Sequence, residues 1–198
     1  MKNKKTYFPI DAKNILSCFL IIILSILSIS CDNGDSEDNG DTNNSTQTPS
    51  AGTANIILTA GGQEFKIAGP CGWASVAGTN YIGANQADNN LRTFSSFFNI
   101  KQLPAITSTY TLVGDSSDTD PTHITMNITE ISGKTLTEWS SKNTSGKLTL
   151  VVDGNKVTAN LAGITLYPQT NSGFYTNGNV GAFANNGALT GTLTFYRQ

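Results

Sequence analysis

From Asn55 to the C-terminus the chain alternates between apolar and polar residues with a period of two, broken by turn residues every eight to twelve positions. The clearest stretch is Lys147 to Leu166. Leu148, Leu150 and Val152 alternate with Lys147, Thr149 and Val151; Asp153-Gly154-Asn155 supplies a turn; then Val157, Ala159 and Leu161 alternate with Thr158 and Asn160. A tight Asp-Gly turn between alternating runs is the strongest short-range hairpin signal. The last strand is equally legible, with Leu189, Gly191, Leu193 and Phe195 on one face and Thr190, Thr192, Thr194 and Tyr196 on the other. Further strands are predicted at Asn55–Ala60 and Gln63–Ala68 around Gly61-Gly62, and at Trp73–Ala77, Asn80–Ala84, Leu91–Ile100, Thr109–Val113, His123–Glu130 and Thr135–Ser140. No stretch of this region holds a 3.6-residue period. The pattern predicts an all-β fold, an antiparallel β-sandwich or jelly roll of about eight to ten strands, with an up-and-down lipocalin-like β-barrel as the alternative.

The first thirty residues follow another rule. Lys2, Lys4, Lys5 and Lys13 precede an uncharged run, Asn14 to Ser30, rich in Ile and Leu; Cys31 follows, and then Asp32, Asp35, Glu37 and Asp38. Basic, apolar, small residue, Cys, acidic: that order reads as a bacterial secretion signal ending at a lipidation site. The apolar run is shorter than the roughly 20 residues a membrane-spanning helix needs. Cleavage before Cys18 would leave no apolar segment upstream, so Cys31 is the residue expected to take lipid. The cleavage box departs from the usual one, with Ser28 and Ile29 where Leu and a small residue normally stand. Residues 1–30 are thus read as signal peptide, 31–52 as lipidated Cys and acidic tether, and 53–198 as one all-β domain. The tether has no aromatic or branched aliphatic residue and cannot bury enough apolar surface to fold. Its mean span is roughly 25 Å by the scaling of flexible linkers.

Charge narrows the partners. Of 12 basic residues four lie before Asn14, and of 14 acidic ones six lie before Ala51, leaving eight of each in the domain. A neutral domain argues against an electrostatic nucleic-acid footprint. Of the three cysteines, Cys18 leaves with the signal and Cys31 takes lipid. Cys71 then stands alone, and it is expected to be a buried small hydrophobe in a turn entering a strand.

Candidate chemistry is sparse. His123 is the only histidine, no Gly-x-Ser-x-Gly elbow is present, and one His with one Cys cannot build a zinc site without several carboxylates. His123 is therefore read as an ordinary strand residue. Asp115, Asp118 and Asp120 with Ser116 and Ser117 could offer oxygens to calcium, but the spacing is not that of an EF-hand and the same residues make plain turns. Glu64, Glu130, Glu138 and Asp153 cannot be paired from sequence into a sugar-hydrolysing couple. No catalytic residue, metal ligand or cofactor is assigned, and a non-enzymatic role is expected. Trp73, Tyr81, Trp139, Tyr167, Phe174, Tyr175 and Phe183 lie near Gly- and Asn-rich connections, densest from Asn171 to Ala188. Aromatic faces stack on sugar rings while amides bond hydroxyls, and loops on rigid β scaffolds commonly carry binding. Trp139, Phe174 and Tyr175 are the candidate ligand contacts.

The whole chain resembles small uncharacterised surface lipoproteins of Bacteroidota. The resemblance lies in the signal, the Cys and the Asp/Asn/Gly tether, then in the Gly-Gly hairpin before Phe65, the Ser108 to Leu112 run and the closing Leu189 to Phe195. It implies an outer-membrane protein held by Cys31 and routed to the cell surface by its acidic tether; it carries no catalytic residues. Three roles follow: a binding or adhesion module for a glycan or a surface protein, a lipocalin-like carrier with an apolar cavity lined by Phe94, Phe97, Phe98, Met126 and Leu150, or an accessory subunit of a surface complex. Because only a thiol accepts the diacylglyceryl group, Cys31→Ser is expected to abolish labelled-lipid incorporation and membrane retention; a mutant that still labels refutes the anchor.

Overall fold

The computed structural model describes residues 52–76, 78–87, 90–170 and 173–197. The signal peptide, Cys31 and the tether up to Ala51 lie outside these residues. The described chain is all β: β1 (Gly52–Ala60), β2 (Gln63–Val76), β3 (Thr79–Ala87), β4 (Leu91–Phe98), β5 (Ser108–Leu112), β6 (His123–Ser132), β7 (Thr135–Ser140), β8 (Lys147–Asp153), β9 (Lys156–Asn160), β10 (Thr165–Pro168), β11 (Thr176–Asn177) and β12 (Gly187–Tyr196), with one 3₁₀ turn at Gly181–Ala184.

The strands close on themselves. Hydrogen bonding runs β1-β2-β3-β4-β6-β5-β8-β9-β12, and β12 pairs back onto β1 from Thr53↔Thr194 to Ala60↔Gly187. The result is a nine-stranded barrel rather than the expected two-layer sandwich. Both architectures put one face of every strand in the core, so both produce the same period of two; the pairing of first and last strands decides between them, and that is a long-range fact. The path is not a simple up-and-down meander either. β5 inserts between β6 and β8 and runs parallel to β6, with Thr111 opposite His123.

The wall forks. One side of β6 is paired along β4, but its other side meets β5 at His123–Ile124 and β7 from Asn127 onward. In the same way β12 meets β10 at Gly187–Ala188 and β9 from Thr192. A second path, β6-β7-β10-β12, therefore closes the wall beside the β5-β8-β9 path. Gly191 sits where β12 changes neighbour: its φ is 106°, its carbonyl accepts from Leu161 N–H at 3.0 Å, and a Cβ there would collide with the Asn55 carbonyl. Glycine alone meets both demands. At the crotch beside β6, Ser141 replaces ladder bonds. Its hydroxyl donates to Val113 O at 2.6 Å and accepts from Met126 N–H at 2.9 Å, while its own N–H donates to Met126 O at 2.8 Å.

Gly69-Pro70, expected as a turn, lies instead within one long strand. β2 pairs with β1 up to Cys71 and with β3 from Cys71 onward, so Pro70, which has no N–H to give, falls just before the change of partner. Inward residues form one continuous apolar core that includes Ile56, Leu58, Ile67, Phe94, Met126, Leu150, Leu193 and Phe195. The chain enters β1 at one end of the barrel (the entry end), which is crossed by the 99–107 connection. The far end holds the Gly61-Gly62 turn and the long β10–β12 connection. Replacing Ser141 with Ala leaves Val113 O and Met126 N–H unmet in the interior. At roughly 1–3 kcal/mol for each such group, urea unfolding is expected to show a loss of about 2–4 kcal/mol; a loss under about 0.5 kcal/mol refutes the bridging role.

Candidate functional site

The far end is built by the connection from β10 to β12. β11 adds in parallel to β7, with Thr176 N–H on Lys134 O at 2.8 Å and Gly178 N–H on Leu136 O at 2.8 Å. Asn179 then turns inward. Its Oδ1 accepts from Glu138 N–H at 2.9 Å and its Nδ2 donates to Phe183 O at 3.2 Å. The 3₁₀ turn drops Phe183 onto the barrel, where it meets Phe65 at 6.1 Å and Trp139 at 5.5 Å, both edge-on. Asn185 secures the same turn by donating to Ala182 O at 3.0 Å, and its own carbonyl accepts from Trp139 Nε1 at 3.2 Å. Gly61, with φ 54°, lies so close under this turn that a Cβ would come within 2.7 Å of Ala182 Cα. On the rim Arg92 covers the Phe65 ring at 5.0 Å and pairs with Glu130 at 2.6 Å.

The three candidate contacts separate here. Trp139, expected on the rim, is fully buried, packed edge-on against Phe65 at 5.2 Å, and is part of the core. Its position follows the alternation of β7, in which Thr137 and Trp139 face inward. Phe174 is 83% exposed, and Tyr175 beside it is half-buried. These two stand just before β11, whose Thr176 and Asn177 pair with β7. The aromatic surface at the far end is therefore split into an internal set (Phe65, Trp139, Phe183) and an external pair.

The entry end carries a second aromatic group. Trp73 faces inward from β2 but is only partly buried; Phe98 lies 5.2 Å from it, and Tyr110 lies 5.1 Å from Phe98, edge-on. Ile100 and Leu103 from the 99–107 connection, partly buried, also pack against the core. Of the residues expected to line a cavity, Phe94, Phe98, Met126 and Leu150 face the interior, whereas Phe97 faces the other side of β4 and stacks with Tyr81 at 5.8 Å. Period-two alternation flags Phe98 and excludes Phe97, a distinction that the Phe97-Phe98 pair blurs in sequence. Tyr167 stands apart, its hydroxyl on Thr144 at 2.7 Å and Lys142 over its ring at 4.7 Å.

The acidic loop between β5 and β6 spends its carboxylates on itself. Asp115 accepts from Ser117 N–H and hydroxyl, Asp118 from Asp120 N–H, and Asp120 from Thr122 N–H and hydroxyl, all at 2.7–2.8 Å. Among the described residues no set of three or more His, Cys, Asp or Glu side chains is placed to hold a metal. His123 opens β6 and its Nδ1 lies 2.8 Å from Asp118 Oδ2, a partner that strand reading does not supply. Cys71 is buried, donates to Thr194 O at 3.4 Å and has its thiol pushed up to about 11 by burial, which makes it inert. No protein family, no curated protein and no solved structure matches this chain.

The Asp118 hydrogen bond holds the His123 pKa above its ordinary 6.5, and bonds from Asp120 N–H and His123 hold Asp118 below 3.8. The histidine's contribution is thus fully present below 6.5 and is lost as pH rises through its raised value. The aspartate's is present above 3.8 and is lost as pH falls through its lowered value. An NMR titration of the single imidazole is expected to place it above 6.5 and to bring it down in Asp118→Asn; an unmoved midpoint refutes the pairing.

Proposed function

We propose that the chain is an outer-membrane, surface-exposed lipoprotein of the Bacteroidota type, acting as a non-catalytic binding or adhesion module whose binding edge is the β10–β12 connection. One observation carries this reading: Phe174, 83% exposed, stands two residues before β11, at the end of the barrel opposite the one where the chain enters β1. A lipid at Cys31 would keep the chain at the membrane, and a flexible tether would leave the domain free to reach a partner. An exposed Phe174 ring with a half-buried Tyr175 beside it, near Asn177, suits a glycan, whose ring faces stack while its hydroxyls take amide hydrogen bonds. A surface protein with an aromatic-accepting groove is the other partner of this chemistry.

The closed barrel supports a second reading, a lipocalin-like carrier of a small apolar ligand, since small barrels either fill their interior with side chains or hold one small ligand there. The first reading uses an external edge and the second the interior, so they are separable by mutation.

A glycan-array screen of the processed chain tests the first. Phe174→Ala and Tyr175→Ala are each expected to weaken binding about five-fold, near 1 kcal/mol for one aromatic contact. Thermal stability should stay within about 0.5 kcal/mol of the parent. Trp139→Ala is expected to cost about 3–5 kcal/mol of stability instead. Unchanged affinity in both loop variants for every glycan bound by the parent overturns the assignment of this edge.

A further inference from the structure

We propose that the entry end of the barrel is a binding site for a slender, uncharged apolar molecule carrying one hydrogen-bonding oxygen, with Trp73 at its mouth and the Ser96 hydroxyl as its inner polar contact. This rests on the carrier reading and assigns it a location, a polar contact and a ligand class.

Ser96 is the starting point. It is fully buried, lies in register with the core residues of β4, and its hydroxyl has no hydrogen-bond partner. Along the strand its inward neighbours are Phe94 and Phe98, and across the strands they are Ile82 and Met126, so an apolar residue would suit the position. An unmet buried polar group costs about 1–3 kcal/mol, and native interiors contain few of them. A trapped water is a poor remedy, because it needs two to four polar partners and these four neighbours offer no polar side chain.

The surroundings define what would fit. One inward layer nearer the end lie Asn80, Phe98 and Ile124, and Asn80 is itself buried. At a rise of about 3.4 Å per residue, Ser96 sits roughly 7 Å below that layer. Trp73, joined to Ser96 through Ile82 in one cross-strand row, faces inward yet stays partly exposed, so its ring reaches from the solvent to the core. The described buried polar residues are Asn, Ser and Thr only, with no acid or base, so a charged head group has no partner inside. The covering 99–107 connection is tied by three side chains: Asn99 to Asp118 O and Asp120 O at 2.8 and 3.0 Å, Arg197 to Pro104 O at 3.2 Å, and the Thr107 hydroxyl, which accepts from Val152 N–H at 3.1 Å. Entry beside Trp73 requires only that this connection and the Ile100 and Leu103 side chains give way.

The test uses the processed chain with Cys31→Ser and its full tether, titrated with 1-octanol, n-octane and octanoate, and read by NMR. The Trp139 indole at the far end serves as internal control. Octanol is expected to shift the Trp73 indole and the Ser96 amide saturably, leaving Trp139 unmoved, while octanoate does nothing. Ser96→Ala should weaken octanol at least about five-fold with octane unchanged, the discrimination expected of one hydrogen bond worth about 1 kcal/mol, and Trp73→Leu should weaken both. If octanol and octane bind alike and Ser96→Ala changes neither, the polar contact is refuted and the carrier reading survives. If no probe moves Trp73, both fall. Ser96→Ala removes an unmet group, so it is expected to fold at least as stably as the parent, and Trp73→Leu stands as an independent variant at a partly exposed site.

Discussion

The pairing of β1 with β12 is the constraint on which the rest of the molecule depends. Without it Ile56 and Leu58 would lie on an edge strand, and the wall would end in two rows of unpaired backbone groups. With it every inward residue faces one enclosed core. The seam admits nothing larger than glycine at Gly52, where a Cβ would collide with the Thr194 carbonyl, and that same carbonyl accepts the Cys71 thiol. Closure joins the two extremes of the described chain, so loop entropy must be overcome before its bonds form. The Asp153–Lys156 and Gly61-Gly62 hairpins are local and can form first; the ring closes only when first and last strands meet.

That division also explains what can be read from the sequence. Alternation and turn chemistry place the β8–β9 hairpin, the β1–β2 hairpin at Gly61-Gly62, β7 and the inward set of β12, because each is decided by neighbours in the chain. β10 and β11 carry no such signal. They are held by partners far away in sequence, β11 by two residues of β7, and nothing local marks them. Pro70 misleads for the reverse reason: a strong local breaker is tolerated where a strand changes partner. Sandwich and barrel cannot be told apart from a period of two that both share. In the candidate site, Thr137 and Trp139 share the inward face of β7. The nearness of Trp139 to Gly- and Asn-rich connections points to the rim, but strand alternation outweighs it and carries the ring into the core.

The two ends of the barrel differ in how they are closed. At the far end Phe65, Trp139 and Phe183 interlock edge-on, and Asn179 and Asn185 satisfy the backbone of the covering turn. Aromatic contacts of this kind add about 0.5–1.5 kcal/mol each beyond the area they bury, so this end is firmly shut. At the entry end the covering 99–107 connection lays down Ile100 and Leu103 without an aromatic ring of its own, and Trp73 stays partly exposed. A firm end suits a rigid platform for a loop, and a lightly covered end suits passage to the interior. The proposed roles follow that asymmetry.

Phe174 and Phe183 show how a structural aromatic differs from one free to bind. Both belong to the same connection, nine positions apart in the chain. Phe183 is accounted for by the fold: remove its ring and Phe65 and Trp139 lose a neighbour. Nothing in the fold accounts for Phe174. The segment after it is held by the β7 pairing and by the Asn179 side chain, neither of which uses the Phe174 ring. An aromatic ring left 83% exposed gains nothing from burial and adds apolar surface that water disfavours. Single exposed apolar residues are common on protein surfaces, so exposure alone carries little weight. What gives Phe174 its weight is its place, two residues before β11 at the end of the barrel opposite the one where the chain enters β1.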